Sequence, residues 1–115
     1  MATSNKPVIW GLFAAGGTLA ALVVPVLILI SCLGVPLGLI SPDVLSYEHL
    51  LDLLQNPFSK LITFGTLFLI IWHAAHRTRI TAHDLGIRKD TLVAFICYGI
   101  AAIGTTIALV ALLRL

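Results

Sequence analysis

The chain has 115 residues, of which 59% are hydrophobic and only 10% are charged, and its mean hydropathy is +1.07. Soluble domains carry about 25% charged residues, so this chain has too few charges to cover a small globular domain with polar groups. The composition excludes an ordinary soluble enzyme and a disordered chain, and a net charge of +2 is too small for a nucleic-acid-binding protein. The remaining class is an integral membrane protein.

Three segments are long and apolar enough to cross a bilayer as helices, because about 20 apolar residues span the hydrocarbon layer. We predict these spans at about 8–34, 58–76 and 91–113. Lipid leaves the backbone few other ways to satisfy its hydrogen bonds. We therefore expect an all-α membrane protein with three transmembrane helices, forming a single anchor domain over residues 1–115.

The first apolar segment is too long for one perpendicular crossing, since no charged residue occurs between Lys6 and Asp43. We expect it to tilt, to kink at Pro25, or to end in an interfacial stretch. Small residues on this helix, among them Gly16 and Gly17, allow the backbone of a neighbouring helix to approach closely. That neighbour is either another helix of this chain or a helix of a separate protein chain.

The connection between the first two spans predicts a short amphipathic helix. Ser41 and Pro42 have the character of an N-cap and a first helical position. The apolar residues that follow recur at helical spacing: Tyr47, Leu50, Leu51 and Leu54. Glu48 and Asp52 fall on the other face. Such a helix is expected to lie in the membrane interface.

The charges of the two loops predict the orientation. The first loop carries acidic residues and neither Lys nor Arg, whereas the second carries Arg77, Arg79, Arg88 and Lys89. Basic loops stay on the cytoplasmic side. We therefore expect the N-terminus and the second loop on the cytoplasmic side, and the first loop and the C-terminus on the outer side. Asp90 is the expected N-cap of the third helix, and Gly86 the expected end of the second.

One cluster has the composition of a ligand site. The second span ends with Trp72, His73, His76 and Arg77, and Trp10 begins the first span at the same membrane face. An indole N–H and an imidazole donate hydrogen bonds to carbonyl oxygens, and a guanidinium favours developing negative charge. Histidine also carries protons near neutral pH. Taken singly, such residues are membrane anchors or structural groups, but together they fit a quinone.

Other functions have less support in the sequence. Haem bound by His73 or His76 would need an axial ligand from another chain, so we expect no haem. We also expect no metal site, because no third ligand is suitably spaced. A transporter or channel usually places ionisable groups near mid-membrane, and the first and third spans have none there. A scaffold without quinone chemistry remains an alternative.

Several sequence blocks, taken in order, resemble one known family. They are Pro7-Val8-Ile9-Trp10-Gly11-Leu12-Phe13, Ala15-Gly16-Gly17, Pro36-Leu37-Gly38-Leu39, Leu45-Ser46-Tyr47-Glu48, His76-Arg77 and His83-Asp84-Leu85. Together they are similar to the D-type membrane anchor of bacterial fumarate reductase. The resemblance runs from residue 7 to residue 85.

The resemblance implies a non-catalytic subunit of an oxidoreductase complex. In that family, the D-type anchor pairs with a second three-helix anchor, the C-type anchor, and holds a flavoprotein subunit and an iron–sulfur subunit on the membrane. Menaquinol is oxidised at the anchor during anaerobic respiration, and the flavin and iron–sulfur clusters that carry its electrons lie in the partner subunits. The anchor of a related succinate dehydrogenase is the nearest alternative.

The family's quinone-binding residues carry over to Trp10, His76 and Arg77. Gly11 and Phe13, in the same block as Trp10, are candidates for the pocket wall. The segment 78–82 departs from the family pattern, in which further histidine is frequent. His73 has no counterpart in that pattern, and neither it nor His83 receives a role.

Overall fold

Four α-helices make up most of residues 4–115, the part of the chain that the computed structural model describes. The first three residues of the predicted domain lie outside it. The helices are α1 (Lys6–Ile28), α2 (Tyr47–Gln55), α3 (Pro57–Asp84) and α4 (Asp90–Leu113). The three long helices are apolar enough to cross a membrane. The predicted all-α fold, with a short helix between the first two candidate spans, is confirmed.

Helix α1 continues through Pro25 and changes geometry only at Leu29. Pro25 has no N–H to donate to the carbonyl of Ala21, yet α1 extends to Ile28. The next six residues, Leu29–Gly34, form a π-helical turn. The departure from α-helical geometry therefore begins about one turn after the proline at which the sequence predicted a kink.

The long apolar run closes in a turn beyond Gly34. The carbonyl of Gly34 accepts hydrogen bonds from the backbone N–H groups of Leu39 (2.9 Å) and Ile40 (3.0 Å). The Ile40 side chain packs where a Cβ on Gly34 would lie, and Gly38 has a φ of +74°, which favours glycine. The excess length predicted for this segment is thus absorbed outside the helix.

The connection to α3 contains two helix starts where the sequence predicted one. Ser41 accepts a hydrogen bond from the N–H of Asp43 (3.4 Å) and begins a short 3₁₀-helix, Pro42–Leu45. Ser46 then accepts one from the N–H of His49 (3.2 Å) and caps α2. Each serine side chain satisfies an N–H that the first turn of a helix leaves without a partner.

Helix α2 is amphipathic, as predicted, but α3 covers only part of its apolar face. Leu51 and Leu54 are half-buried, in keeping with the contacts between α2 and α3. Tyr47 remains 72% exposed. The uncovered part of this face is available to an apolar surrounding, which suits the expected interfacial position.

Helix α3 is the longest helix, and it ends at a well-defined motif. Gly86 has a φ of +90° and donates its N–H to the carbonyl of His83, while Ile87 donates to Ala82. This pair of bonds is a Schellman motif. With 28 residues, α3 is about 42 Å long and exceeds the hydrocarbon layer of about 30 Å. The predicted stop at Gly86 is confirmed, and the helix continues to Asp84.

Asp90 does not cap α4, contrary to the expectation from sequence. The N-cap position is Lys89, which makes no side-chain hydrogen bond to the helix. The Asp90 carboxylate instead accepts two hydrogen bonds from Arg79 on α3, at 3.0 and 2.6 Å. A guanidinium pairs with both oxygens of a carboxylate at once, and this pairing fixes the end of α3 beside the start of α4.

Helix α3 lies between α1 and α4 and runs antiparallel to both. Gly16 of α1 is buried against the backbone carbonyl of Leu69 and the Cβ of His73, and Gly17 lies against the His73 ring. On the other side, Gly104 of α4 allows the approach of Ile71. The small residues of α1 that the sequence singled out therefore serve packing within this chain at Gly16 and Gly17.

Replacing Gly16 with alanine should separate α1 from α3. The added Cβ would overlap the Leu69 carbonyl oxygen, which belongs to the backbone and cannot rotate away, so we expect a loss of about 1–3 kcal/mol in unfolding free energy. Gly65→Ala on α3 is the matched control, because nothing lies within 4 Å of its Cβ position. Unfolding of each purified variant in detergent measures the effect, and equal stabilities would contradict this packing.

Candidate functional site

A cavity of about 620 Å³ opens at the end of the bundle that holds the N-terminus of α1, the last turns of α3 and the first turns of α4. Most of its lining is apolar or aromatic, and three of its side chains are basic. The lining residues are Lys6, Ile9, Trp10, Leu12, Phe13, Phe68, Leu69, Trp72, His73, His76, Ile80 and Tyr98. Small-molecule sites have this size and this mixture of apolar walls with a few polar groups.

His73 holds α1 against α3 at the floor of the cavity. Its Nδ1 lies 2.8 Å from the backbone carbonyl oxygen of Phe13. A carbonyl only accepts, so Nδ1 of His73 carries the proton and donates. The two rings also stack, with centroids 4.3 Å apart. Since Phe13 lies one helical turn from Trp10, this contact determines where the first turns of α1 stand relative to α3.

Trp72 joins α3 to α4 on the opposite wall. Its indole N–H donates to the hydroxyl of Thr105 at 3.0 Å, and that hydroxyl donates to the carbonyl of Ala101. The Trp72 ring stacks on the ring of Tyr98 with centroids 5.9 Å apart. Because its N–H is already engaged with Thr105, Trp72 presents an apolar surface to the cavity rather than a hydrogen-bond donor.

A chain of polar contacts leads from the cavity to the edge of the bundle. Nδ1 of His76 lies 2.8 Å from the hydroxyl of Tyr98. The Tyr98 hydroxyl also accepts a hydrogen bond from Arg79 at 3.3 Å, and the Arg79 guanidinium lies 5.7 Å from the centre of the Tyr98 ring. Arg79 completes the chain through its pairing with Asp90, whose side chain is 47% exposed.

The structure brings together three of the five residues that the sequence selected. Trp10, Phe13 and His76 line the cavity, and the Phe13 ring meets the His76 ring edge-on at 4.8 Å. Gly11 does not line it, and nothing lies within 4 Å of the position of a Cβ on it. Arg77 is exposed and lies outside the lining, one position further around α3 than His76.

Sequence reasoning did not assign Tyr98 to the site and left His73 without a role. Tyr98 belongs to α4, and only the register between α3 and α4 shows that it reaches His76. For His73 a signal was present. His73 and His76 are three residues apart and therefore lie on neighbouring positions of one helix face, and His73 is four residues from Leu69, which approaches Gly16.

The arrangement suits a flat, apolar molecule that carries oxygen atoms. The aromatic side chains of Phe13, Trp72 and Tyr98 provide apolar surface, while His76 has no hydrogen-bond partner other than Tyr98 among residues 4–115. Trp10 adds an indole and is 69% exposed, so the cavity is open on the α1 side. A quinone head group, with its apolar ring and two carbonyl oxygens, fits this combination of walls and donors.

Comparison with known proteins yields one consistent family. The family model for the D subunit of fumarate reductase matches residues 1–113. The fumarate reductase D subunit of Mycobacterium tuberculosis (strain ATCC 25177 / H37Ra) is 44% identical over 108 residues, which cover 91% of this chain and 84% of that protein. The proteins of the same name from Photobacterium profundum and Aliivibrio salmonicida are 38% and 37% identical, with coverage of 93% of this chain and 89% of each relative.

Replacing His73 with phenylalanine tests how α1 is held. The ring stacking on Phe13 is kept, but the hydrogen bond to the Phe13 carbonyl is lost, so we expect a loss of about 0.6–2 kcal/mol in unfolding free energy. His83→Phe is the control, because His83 is exposed near the end of the same helix. Unfolding in detergent measures both variants. If His73→Phe were as stable as the control, the contact would have no part in docking α1.

Proposed function

Because the chain belongs to the family of fumarate reductase D subunits, we propose that it anchors a quinol:fumarate reductase complex to the bacterial inner membrane and contributes to the site of menaquinol oxidation. The observation that carries this proposal is the shared cavity of Trp10 and His76, which lie on different helices at one end of the bundle. A bound quinol supplies two electrons and two protons. This chain supplies the walls and the polar groups that hold the quinol oxygens.

Each polar residue of the cavity has a distinct role in this proposal. His76 is in hydrogen-bond contact only with Tyr98 among the described residues, so its Nε2 is the nitrogen available to a quinone oxygen. Trp10 supplies an indole N–H from the other helix. The apolar walls lower the local dielectric around both hydrogen bonds, which strengthens them.

Arg77 has a different place in the proposal from the one that sequence alone suggested. It directly follows His76 on α3, but it is exposed and lies outside the cavity lining. We propose that the Arg77 guanidinium lies where this chain meets a neighbouring protein or lipid head group. From there its charge favours negative charge on the quinone oxygens. Its effect on turnover should therefore be smaller than that of His76.

The partners that follow from the proposal are a second anchor, an iron–sulfur subunit and a flavoprotein subunit. Ile100, Ile103 and Ile107 on α4 are each more than 60% exposed, and in this proposal the second anchor covers them. In a chain on its own, these side chains would face lipid. The flavin and the iron–sulfur clusters belong to the partner subunits, where fumarate is reduced.

Two substitutions in the cavity should separate quinol oxidation from fumarate reduction. In membranes that contain the whole complex, His76→Gln should lower the quinol-dependent rate about 10²-fold, because the imidazole that holds a quinol oxygen is lost. Trp10→Phe, which removes the indole N–H and keeps a smaller aromatic ring, should lower it about tenfold. Reduction of fumarate by a soluble artificial electron donor bypasses the anchor and should be unchanged.

Phe58→Ala is the control for these variants, because Phe58 is an exposed aromatic residue at the far end of α3 and does not line the cavity. It should retain both rates. Equal loss of both rates in the His76 and Trp10 variants would indicate an assembly defect. Retention of the quinol-dependent rate in both would overturn the proposed site and would favour a scaffold or a succinate dehydrogenase anchor with its site elsewhere.

The orientation is testable by labelling. We propose that the N-terminus and the α3–α4 turn are cytoplasmic, because that turn carries Arg88 and Lys89 close to Arg77 and Arg79. A cysteine introduced at Ile87, which is exposed in that turn, should react with a membrane-impermeant maleimide only after the cells are opened, whereas one at Asp43 should react in cells whose outer membrane alone is permeable. The opposite pattern would reverse the orientation.

A further inference from the structure

The Tyr98 hydroxyl lies within hydrogen-bond distance of both Arg79 and His76. Arg79 can only donate, so its N–H toward Tyr98 makes the phenol oxygen an acceptor. The phenol proton then needs an acceptor of its own. Among residues 4–115, the one within hydrogen-bond distance is Nδ1 of His76, at 2.8 Å.

This pattern assigns the protonation of His76. If Tyr98 donates to Nδ1, neutral His76 carries its own proton on Nε2. The opposite tautomer, with the proton on Nδ1, would place two donors on the phenol oxygen and leave the phenol proton without a partner. Tyr98 is half-buried, and leaving its proton without a partner among the described residues costs free energy. The network therefore favours a His76 that offers an N–H donor at the nitrogen not bound to Tyr98.

We propose that Tyr98, oriented by Arg79, is a positioning residue that makes His76 a hydrogen-bond donor and so sets the preference of the site for the oxidised quinone. A quinone carbonyl only accepts, so it binds to an Nε2–H and is rejected by a bare Nε2. A quinol hydroxyl both donates and accepts, so it binds to either tautomer. This inference rests on the proposed quinone site. It adds that the site distinguishes the oxidised quinone from the quinol.

Asp90 has a part in the same arrangement. It holds the Arg79 guanidinium through two hydrogen bonds and leaves a third N–H directed at Tyr98. The bidentate pairing fixes the plane of the guanidinium. The ion pair of Arg79 and Asp90 thereby keeps an N–H donor on the Tyr98 oxygen, and the Tyr98 proton is directed toward His76.

The test uses the complete complex with Tyr98→Phe in this chain. The phenylalanine ring keeps the stacking on Trp72 and loses only the hydroxyl. We expect the inhibition constant of an oxidised short-chain naphthoquinone to rise about tenfold, because its hydrogen bond to Nε2–H is no longer enforced. The KM of the corresponding naphthoquinol should change less than about threefold.

A spectroscopic measurement reads the tautomer directly. In complex labelled with ¹⁵N-histidine, the resonances of His76 are identified by their loss in His76→Gln. They should report the Nε2–H form in the unchanged protein and a mixture of tautomers in Tyr98→Phe. Arg79→Leu, which removes the donor to Tyr98, should give the same mixture, and Arg79→Lys should restore the Nε2–H form in part.

Tyr47→Phe is the matched control. The chain has two tyrosines, and Tyr47 lies on α2, exposed and away from the cavity. It should leave both constants and the spectrum unchanged. Unaltered inhibition and an unaltered His76 tautomer in Tyr98→Phe would overturn the inference while the quinone site stands. If the complex with the unchanged chain had no quinol-dependent rate, the proposed function would be overturned. The ¹⁵N spectrum of His76 would still test the tautomer.

Discussion

Helices that lie among lipids or other apolar helices gain little from burying apolar side chains against one another, so close backbone approach and interhelical hydrogen bonds must hold them together. In this chain both act on α3. Gly16 and Gly17 let α1 approach until His73 reaches the carbonyl of Phe13. The rest of the structure depends on this contact, because it fixes the first turns of α1 beside the last turns of α3 and so creates a cavity between them.

The other side of α3 is fixed by a ladder of polar contacts with α4. Trp72 reaches Thr105, and Arg79 reaches Asp90 two turns further along. These contacts set one antiparallel register, which places Tyr98 next to the cavity. The same side chains therefore connect the helices and support the candidate site, and the contacts of Arg79 and Tyr98 link the edge of the bundle to His76.

Composition and spacing were sufficient to predict the helical fold, the three long helices and the stop at Gly86, because those features depend on local chain chemistry. Trp10, Phe13 and His76 were predicted to share a site, and they line one cavity. Arg77 and Gly11 lie outside it, because the rotation of each helix about its axis depends on packing and is invisible in residue spacing. The pairing of Asp90 with Arg79 was missed for the same reason, since a carboxylate at a helix start is ordinarily read as a cap.

The position of the cavity along α3 has a consequence for energy conversion. Asp84, the last residue of the helix, is only eight positions beyond His76, a distance of about 12 Å along the axis. Moving one elementary charge through the full transmembrane voltage requires about 2.3 kcal/mol per 100 mV. Under the proposed function, a quinol proton that leaves the cavity toward the end of α3 crosses only a small part of that field, so its release is nearly independent of the membrane voltage.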